Sequence, residues 1–376
     1  MEISGKRAMD LLEKIGFTRV AGSQEELKAA EILKAECEEI GVPAELESFE
    51  IEDAEIETAT LEILEPYQAE YPVTGYKCAK NTYQGGLEAD FLYVEDGNEV
   101  DLCNAEGKIV LVNGFMRLPL FRQLIKAGVA GIVTMEGQLR DDREGTDLST
   151  RKLRRTLRAF GNVPMVHTRV LDAIDMVRRG ARKARLVLKN ETVERTSHNV
   201  VATITGTEKP EEIISFGAHY DSVDFSKGVY DNGAGSVIIN VDVGGPILGR
   251  DSVAVMAEED LVKYISYASK IHGHSAKVEQ RIYSSDSIPF ADSGVPAVNF
   301  CRFGERGAAY IHDRFDTLDF LSAEALEKTA RYVLAFSWGM VNAAAFPVKR
   351  EIPKNIVEEV EKYLYKKELA EAEENK

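Results

Sequence analysis

The sequence predicts an α/β protein whose mostly parallel, mixed sheet is flanked by helices, with a smaller β-rich domain inserted into it. Three observations carry this. After residue 190, near-continuous apolar strands (NVVATITG, EIISFGAHYD, PAVNFC) alternate with longer helical segments such as EEDLVKYISYASKIHG. That is the pattern of strands covered on both faces. Residues 52–190 differ, with short β runs (ATLEILEP, ADFLYVED, GKIVLVNG, GIVTMEG) bounded by Gly, Asn and Asp. Both ends of the chain read as helical. The expected division is therefore 1–51 with 191–350 as the main domain, 52–190 as the insertion, and 351–376 as a charged C-terminal helix or tail.

The elements follow in order. MEISGKRAMDLLEKIG is an amphipathic helix pattern, and SQEELKAAEILKAECEEIG has a Ser cap at Ser23, early acids and a terminal Gly. The intervening RVAGS is a turn, and ELESFEIE after the second helix is strand-like. In the insertion, FRQLIKAGVA is a helix ending at a Gly cap. The basic RKLRRTLRAF reads as a solvated helix or loop. Two helices close the chain, and its last dozen residues are charged enough to fray.

The chain has 376 residues, 44% hydrophobic and 29% charged, with a formal net charge of −17. That charge repels nucleic acid and anionic membranes. No stretch approaches the ~20 apolar residues of a membrane span, and the start lacks a signal-peptide apolar core, so a cytoplasmic location is expected. The cysteines (Cys37, Cys78, Cys103, Cys301) are far apart and read as reduced structural thiols. Homo-oligomerisation remains open.

The chemistry concentrates in a few places. EIISFGAHYDS runs an apolar strand into His219-x-Asp221, at the carboxyl end where open α/β sheets place their sites. His219 can bind a metal through one ring nitrogen, with Asp221 receiving the other N–H. In GVYDNGAGS, Asp231 and Asn232 precede a small-residue run. Asp242 falls in the apolar VIINVDVGGP, and a buried carboxylate needs a cation, a metal or an escape to water. In AAYIHDRFDTLDFLS, His312 is followed four residues on by Asp316. Two imidazoles and two carboxylates form a mixed N/O set suited to zinc, manganese or cobalt rather than calcium. His272 and His274 suit a helix C-terminus, and His167 and His198 read as loop or strand-edge residues.

The ordered motifs HYDS, YDNGAGS, NVDVGGP, SSDSIPFADSGVPAV and YIHDRFDTLD resemble the two-zinc aminopeptidases of metallopeptidase family 28. The resemblance implies a fold of zinc-exopeptidase type, with 52–190 as a protease-associated domain. It implies an exopeptidase releasing N-terminal residues from peptides, using one or two Zn²⁺. His219 and Asp242 would hold one zinc, Asp231 would bridge to a second bound by His312, and Asp221 and Asp316 would support them. Asp231–Asn232 would be a cis peptide, and Asp286, in SDSIPF, would line the substrate pocket.

One part of that pattern is missing. The family places a helix and a strand ending in a Glu-Glu pair, general base and zinc ligand, between the two Asp ligands. Here only ten residues, Asn232 to Val241, separate Asp231 from Asp242, and a βαβ unit takes ~30. Glu258-Glu259 is the candidate substitute, but the acidic first turn of the following helix accounts for it. The resemblance therefore implies an impaired peptidase with a weakened second zinc site. The alternative is a non-catalytic relative that binds peptide or protein. An internal deletion from an active enzyme would leave the same junction.

Overall fold

In a computed structural model, residues 3–114, 116–139, 142, 146–223, 238–304, 311–312, 315–344, 349 and 351–374 are described. The chain divides into two compact units, Met1–Phe49 with Thr196–Lys366 and Glu50–Arg195 with Lys367–Lys376. It opens with α1 (Gly5–Ile15) and α2 (Gln24–Glu39). Ser4 and Ser23 cap them, each hydroxyl accepting a first-turn N–H, from Arg7 at 3.3 Å and Glu26 at 3.0 Å.

The second unit is built on a nine-stranded sheet. In chain order it comprises β1 (Ala44–Glu65), β2 (Ala69–Tyr71), β3 (Val73–Lys77), β4 (Leu87–Tyr93), β5 (Ile109–Leu111), α3 (Leu118–Lys126) and β6 (Gly131–Glu136). Next come β7 (Arg151–Lys152), α4 (Arg155–Arg158), β8 (Met165–Arg169), α5 (Val170–Arg178) and β9 (Lys183–Ala202). The strand order is β2-β1-β9-β4-β5-β6-β8-β3-β7.

Several expectations change here. ELESFEIE and ATLEILEP are one 22-residue strand, β1. The start of SHNVVATITG is the end of β9, not a separate strand of the parallel sheet. Neither β1 nor β9 contains a Gly or Pro to interrupt extended backbone. RKLRRTLRAF is anchored rather than solvated: β7 pairs with β3, and Leu153 and Leu157 are buried. His167 is buried within β8, its Nδ1 2.7 Å from the Thr134 hydroxyl and its Nε2 3.0 Å from Glu136 Oε2.

In the first unit the remaining elements are β10 (Ser215–Gly217), β11 (Ile238–Asp242), β12 (Gly249–Met256), α6 (Glu259–Ile271), β13 (Ala276–Gln280), α7 (Ile288–Asp292), β14 (Ala297–Gly304), α8 (Ala323–Val341) and α9 (Lys354–Tyr363). The C-terminal stretch forms α10 (Lys366–Glu374) rather than fraying at once. The sheet order is β10-β11-β14-β12-β13. β10, β11 and β14 are mutually parallel, β12 is antiparallel to β14, and β13 is parallel to β12 through the crossover helix α6.

Alternation sorts this sheet's side chains onto two faces. Ile239, Val253, Val255, Val298 and Phe300 pack against Leu261 and Ile265 of α6 and Tyr332, Phe336 and Met340 of α8. Met256 and Ala297 pack with Ile288 and Ala291 of α7 and Ile356 and Val360 of α9. Each fully buried Val, Ile or Phe contributes about 1.5–3 kcal/mol. α1 reaches α8 because Gly5 has no side chain, since a Cβ there would collide with the Ala323 carbonyl, and the Gly5 N–H donates to Glu327 at 3.1 Å. Among the described residues no helix is long and apolar enough to cross a membrane.

Two outcomes follow. Gly5→Val should destabilise by about 1–3 kcal/mol through overpacking, read from the urea midpoint. In the second unit Asp53 bonds Lys77 at 2.9 Å and Arg195 at 3.1 Å. Burial raises its pKa, but the Lys77 hydrogen bond and charge outweigh that and hold the carboxyl below its ordinary value. Its contribution is present above the unfolded carboxyl pKa and is lost as pH falls through the lower folded value. Asp53→Asn should therefore lower the urea midpoint at pH 7 and flatten its decline below pH 4.

Candidate metal centre

β10 and β11 are adjacent and parallel, with Ser215, Phe216 and Gly217 facing Ile238, Ile239 and Asn240. The ladder ends with Gly217 opposite Asn240, and His219 follows two residues past β10 as Asp242 follows two residues past Asn240. His219 thus lies just beyond the carboxyl end of β10, and Asp242 is the last residue of β11 and is buried. Cys301 of β14 faces Asp242 across the next ladder. Sequence position alone could not show that the strands leading to His219 and Asp242 are paired.

His219 is oriented. Its Nδ1 lies 2.9 Å from Asp221 Oδ1. With Nδ1 donating to the carboxylate, the lone pair sits on Nε2, the form a metal requires.

The segment carrying His219 is fixed by two side chains that the sequence reading did not single out. Arg19 is 1% exposed. Its guanidinium donates to the carbonyls of Ile15 at 3.0 Å, Phe17 at 3.1 Å and Tyr220. Its backbone bonds Ser222 twice, accepting from the Ser222 N–H at 3.0 Å and donating to the hydroxyl at 2.9 Å. Burial lowers the Arg19 pKa from its ordinary value, while the carboxylates of Asp221 and Asp316 oppose that shift. Asp316 is itself buried.

Glu26 is the second brace, also buried. It stands where Ser23-x-x-Glu reads as a capping box. Its carboxylate instead accepts from the Tyr220 hydroxyl and from the His198 backbone N–H at 3.2 Å, with His198 Nδ1 3.2 Å away. Burial, with Glu26 alongside, raises the Tyr220 hydroxyl far above an ordinary phenol. The RVAGS turn was visible in the sequence, but nothing there ties Arg19 to residues two hundred positions away.

The other candidates separate. His312 is exposed, with left-handed backbone at φ 63°. Asp231 and Asn232 lie outside the described residues. Ser285 and Ser287, either side of the exposed Asp286, donate to Asn299 Oδ1 at 2.7 and 2.9 Å. Asn299 faces Asn240 across the β11–β14 ladder, two residues from Asp242, or about 7 Å along the strand. Glu258 and Glu259 stand at the cap and first residue of α6. Because β12 is antiparallel to β14, they lie at the opposite edge of the sheet from Asp242, ~20 Å away. The geometry does not bring them to His219. Among the described residues no group of three or more His, Cys, Asp or Glu is placed to hold one metal.

Residues 199–241 and 237–337 match the profile of peptidase family M28. Over those residues the chain is similar to the M28 peptidases. It is 26% identical over 241 residues to carboxypeptidase Q of Mus musculus, covering 61% of this chain and 51% of that protein. With the human carboxypeptidase Q it is 25% identical over 248 residues, covering 62% and 52%. The match thus spans about half the length of these curated relatives. Among solved structures, a zinc aminopeptidase from Bacillus subtilis superposes with a TM-score of 0.71 at 18% identity, covering 94% of this chain and 99% of that one. An aminopeptidase from Aneurinibacillus sp. strain AM-1 gives 0.66 at 19%, covering 92% and 96%. These likenesses show the fold of the zinc aminopeptidases.

Arg19→Met should cost roughly 3 kcal/mol, because it strips a charged donor from buried carbonyls. Arg19→Lys should recover little of it, since an ammonium cannot reproduce the planar fork. Denaturant midpoints of the two variants check this.

Proposed function

We propose that this chain is a zinc-binding exopeptidase relative of aminopeptidase type, directed at the N-terminal residues of peptides, with impaired turnover. The observation that carries the reading is the parallel pairing of β10 with β11, whose carboxyl ends lead to His219 and to Asp242. An imidazole oriented by Asp221 and a buried carboxylate on the adjoining strand are donor types that fit zinc. His219 and Asp242 would hold it, with Asp231 and His312 completing the set. Zinc bound there supplies Lewis acidity toward a peptide carbonyl.

This chain's own residues bind and orient. Asp221 fixes the imidazole, Arg19 and Glu26 fix the backbone beneath it, and the Ser285–Ser287 segment offers a wall beside Asp242. A group to move the proton is what the connection lacks. Residues 232–241, NGAGSVIINV, contain no carboxylate, imidazole or amine. The M28 profile also matches in two stretches meeting at 237–241 rather than in one, which supports the reading that a segment bearing the base is missing. The same observation favours, as a second reading, a relative that binds peptide without cleaving it.

Metal analysis with a panel of aminoacyl chromogenic substrates tests the proposal. The expected result is one tightly bound zinc, lost in His219→Ala, with turnover 10²–10⁴-fold below that of an enzyme with its base in place. Two zinc ions with robust hydrolysis would refute the impairment. Absence of zinc binding would refute the site.

A further inference from the structure

Glu136, which the proposed function leaves unused, is the hub of a polar stripe in the second unit. Parallel β6 and β8 set Thr134 opposite His167 and Glu136 opposite Arg169, and antiparallel β3 sets Thr74 opposite His167. Alternation places these side chains, with Tyr76, on one face of the sheet. The stripe is hydrogen-bonded along its length. The Tyr76 hydroxyl lies 2.9 Å from that of Thr134, which lies 2.7 Å from His167 Nδ1, and His167 Nε2 is 3.0 Å from Glu136 Oε2. The same carboxylate accepts from the Ser149 hydroxyl at 2.6 Å and from the Arg151 guanidinium. One carboxylate thus collects donors from β8, from β7 and from the residues leading into β7.

β7 has few other ties. It has two residues, is the terminal strand of its sheet, and pairs with Tyr76 and Lys77 of β3. The Ser149 carbonyl accepts from the Thr74 hydroxyl at 3.0 Å, and Lys152 reaches the Glu52 carbonyl. Beyond β7 the chain is anchored at Leu153, which is fully buried and donates its N–H to the Lys77 carbonyl at 2.9 Å.

We propose that Glu136 is an acid-released latch: proton uptake by its carboxyl frees residues 149–152 from the sheet while Leu153 holds. A neutral carboxyl no longer attracts Arg151, and its own hydrogen competes with that of Ser149 for one oxygen. Both ties therefore loosen together. Arg151, Lys152, Arg154, Arg155 and Arg158 crowd positive charge into one stretch, and their repulsion favours release once Glu136 is neutral. Release uncovers the outer edge of β3, a template for an extended segment. Nearby charges do not take over the carboxylate's part. Arg169 turns to the Thr146 carbonyl at 3.0 Å and to Asp172, and the second nitrogen of His167 is taken by Thr134. Burial raises the Glu136 pKa, but the bonds from His167 and Ser149 and the charge of Arg151 outweigh it and hold the carboxyl below its ordinary value. The latch is thus closed above the unfolded carboxyl pKa and opens as pH falls through the lower folded value, below the ~4.3 of an unperturbed glutamate.

Hydrogen exchange of the full chain, read peptide by peptide by mass spectrometry, tests this. Glu136→Gln keeps the side chain's shape and removes its charge, and comparing it with the unsubstituted chain at one pH cancels the pH dependence of exchange itself. At pH 7 the variant should exchange residues 149–152 roughly 10–100-fold faster, the worth of a charged hydrogen bond, with β5 and β6 unchanged. At pH 3 the two chains should converge. Ser149→Ala, which removes one tie and leaves Arg151 in place, should give a smaller acceleration at pH 7 and keep the pH response. Equal exchange at 149–152 in the two chains at pH 7 would overturn the proposal. So would a difference at pH 3 as large as that at pH 7, or protection lost in β5 and β6 together with 149–152.

Discussion

The parallel pairing of β10 with β11 is the constraint on which the rest of the centre depends. Parallel neighbours point their carboxyl ends to the same edge, so the imidazole two residues past one strand and the carboxylate ending the next leave the sheet on the same side. Slipping the register by one residue would turn Asp242 to the other face of the sheet, into the cluster of Ile239, Val298 and Phe300. Burial of that cluster against α6 and α8 is therefore what fixes the position of the carboxylate. Packing sets the geometry, and the polar residues use it.

The second constraint acts from the chain's start. β10 has only three residues and is the terminal strand of its sheet, too short to hold the turn beyond it. Arg19 and Glu26 supply what the strand lacks, gripping residues 220 and 222 on either side of Asp221. Both side chains are buried and charged, an arrangement tolerated only when hydrogen bonds replace lost water. The first helices are thus part of the centre's support.

Much of the fold was legible because its signals are local. Ser4 and Ser23 cap where capping chemistry places them, and α6 starts with its acids at Glu259 and Asp260. The alternating strands and the change of texture near residue 52 were equally plain. Long-range pairing was not. Nothing local shows that β12 runs antiparallel to β14, yet that reversal is what carries Glu258 and Glu259 to the far edge. Glu26 is one of the early acids of α2 in sequence, and its role as a brace shows only when His198 and Tyr220 arrive. His167 looked peripheral because Thr134 and Glu136, which satisfy both its nitrogens, come from another strand.

His219 and Asp242 as shared ligands of one zinc is the claim most in need of a direct test. Anomalous diffraction at the zinc edge from crystals grown with the metal gives it. The account predicts a peak in contact with His219 Nε2 and the Asp242 carboxylate, with Asp221 still bonded to Nδ1. A peak elsewhere, or none at saturating zinc, would contradict it.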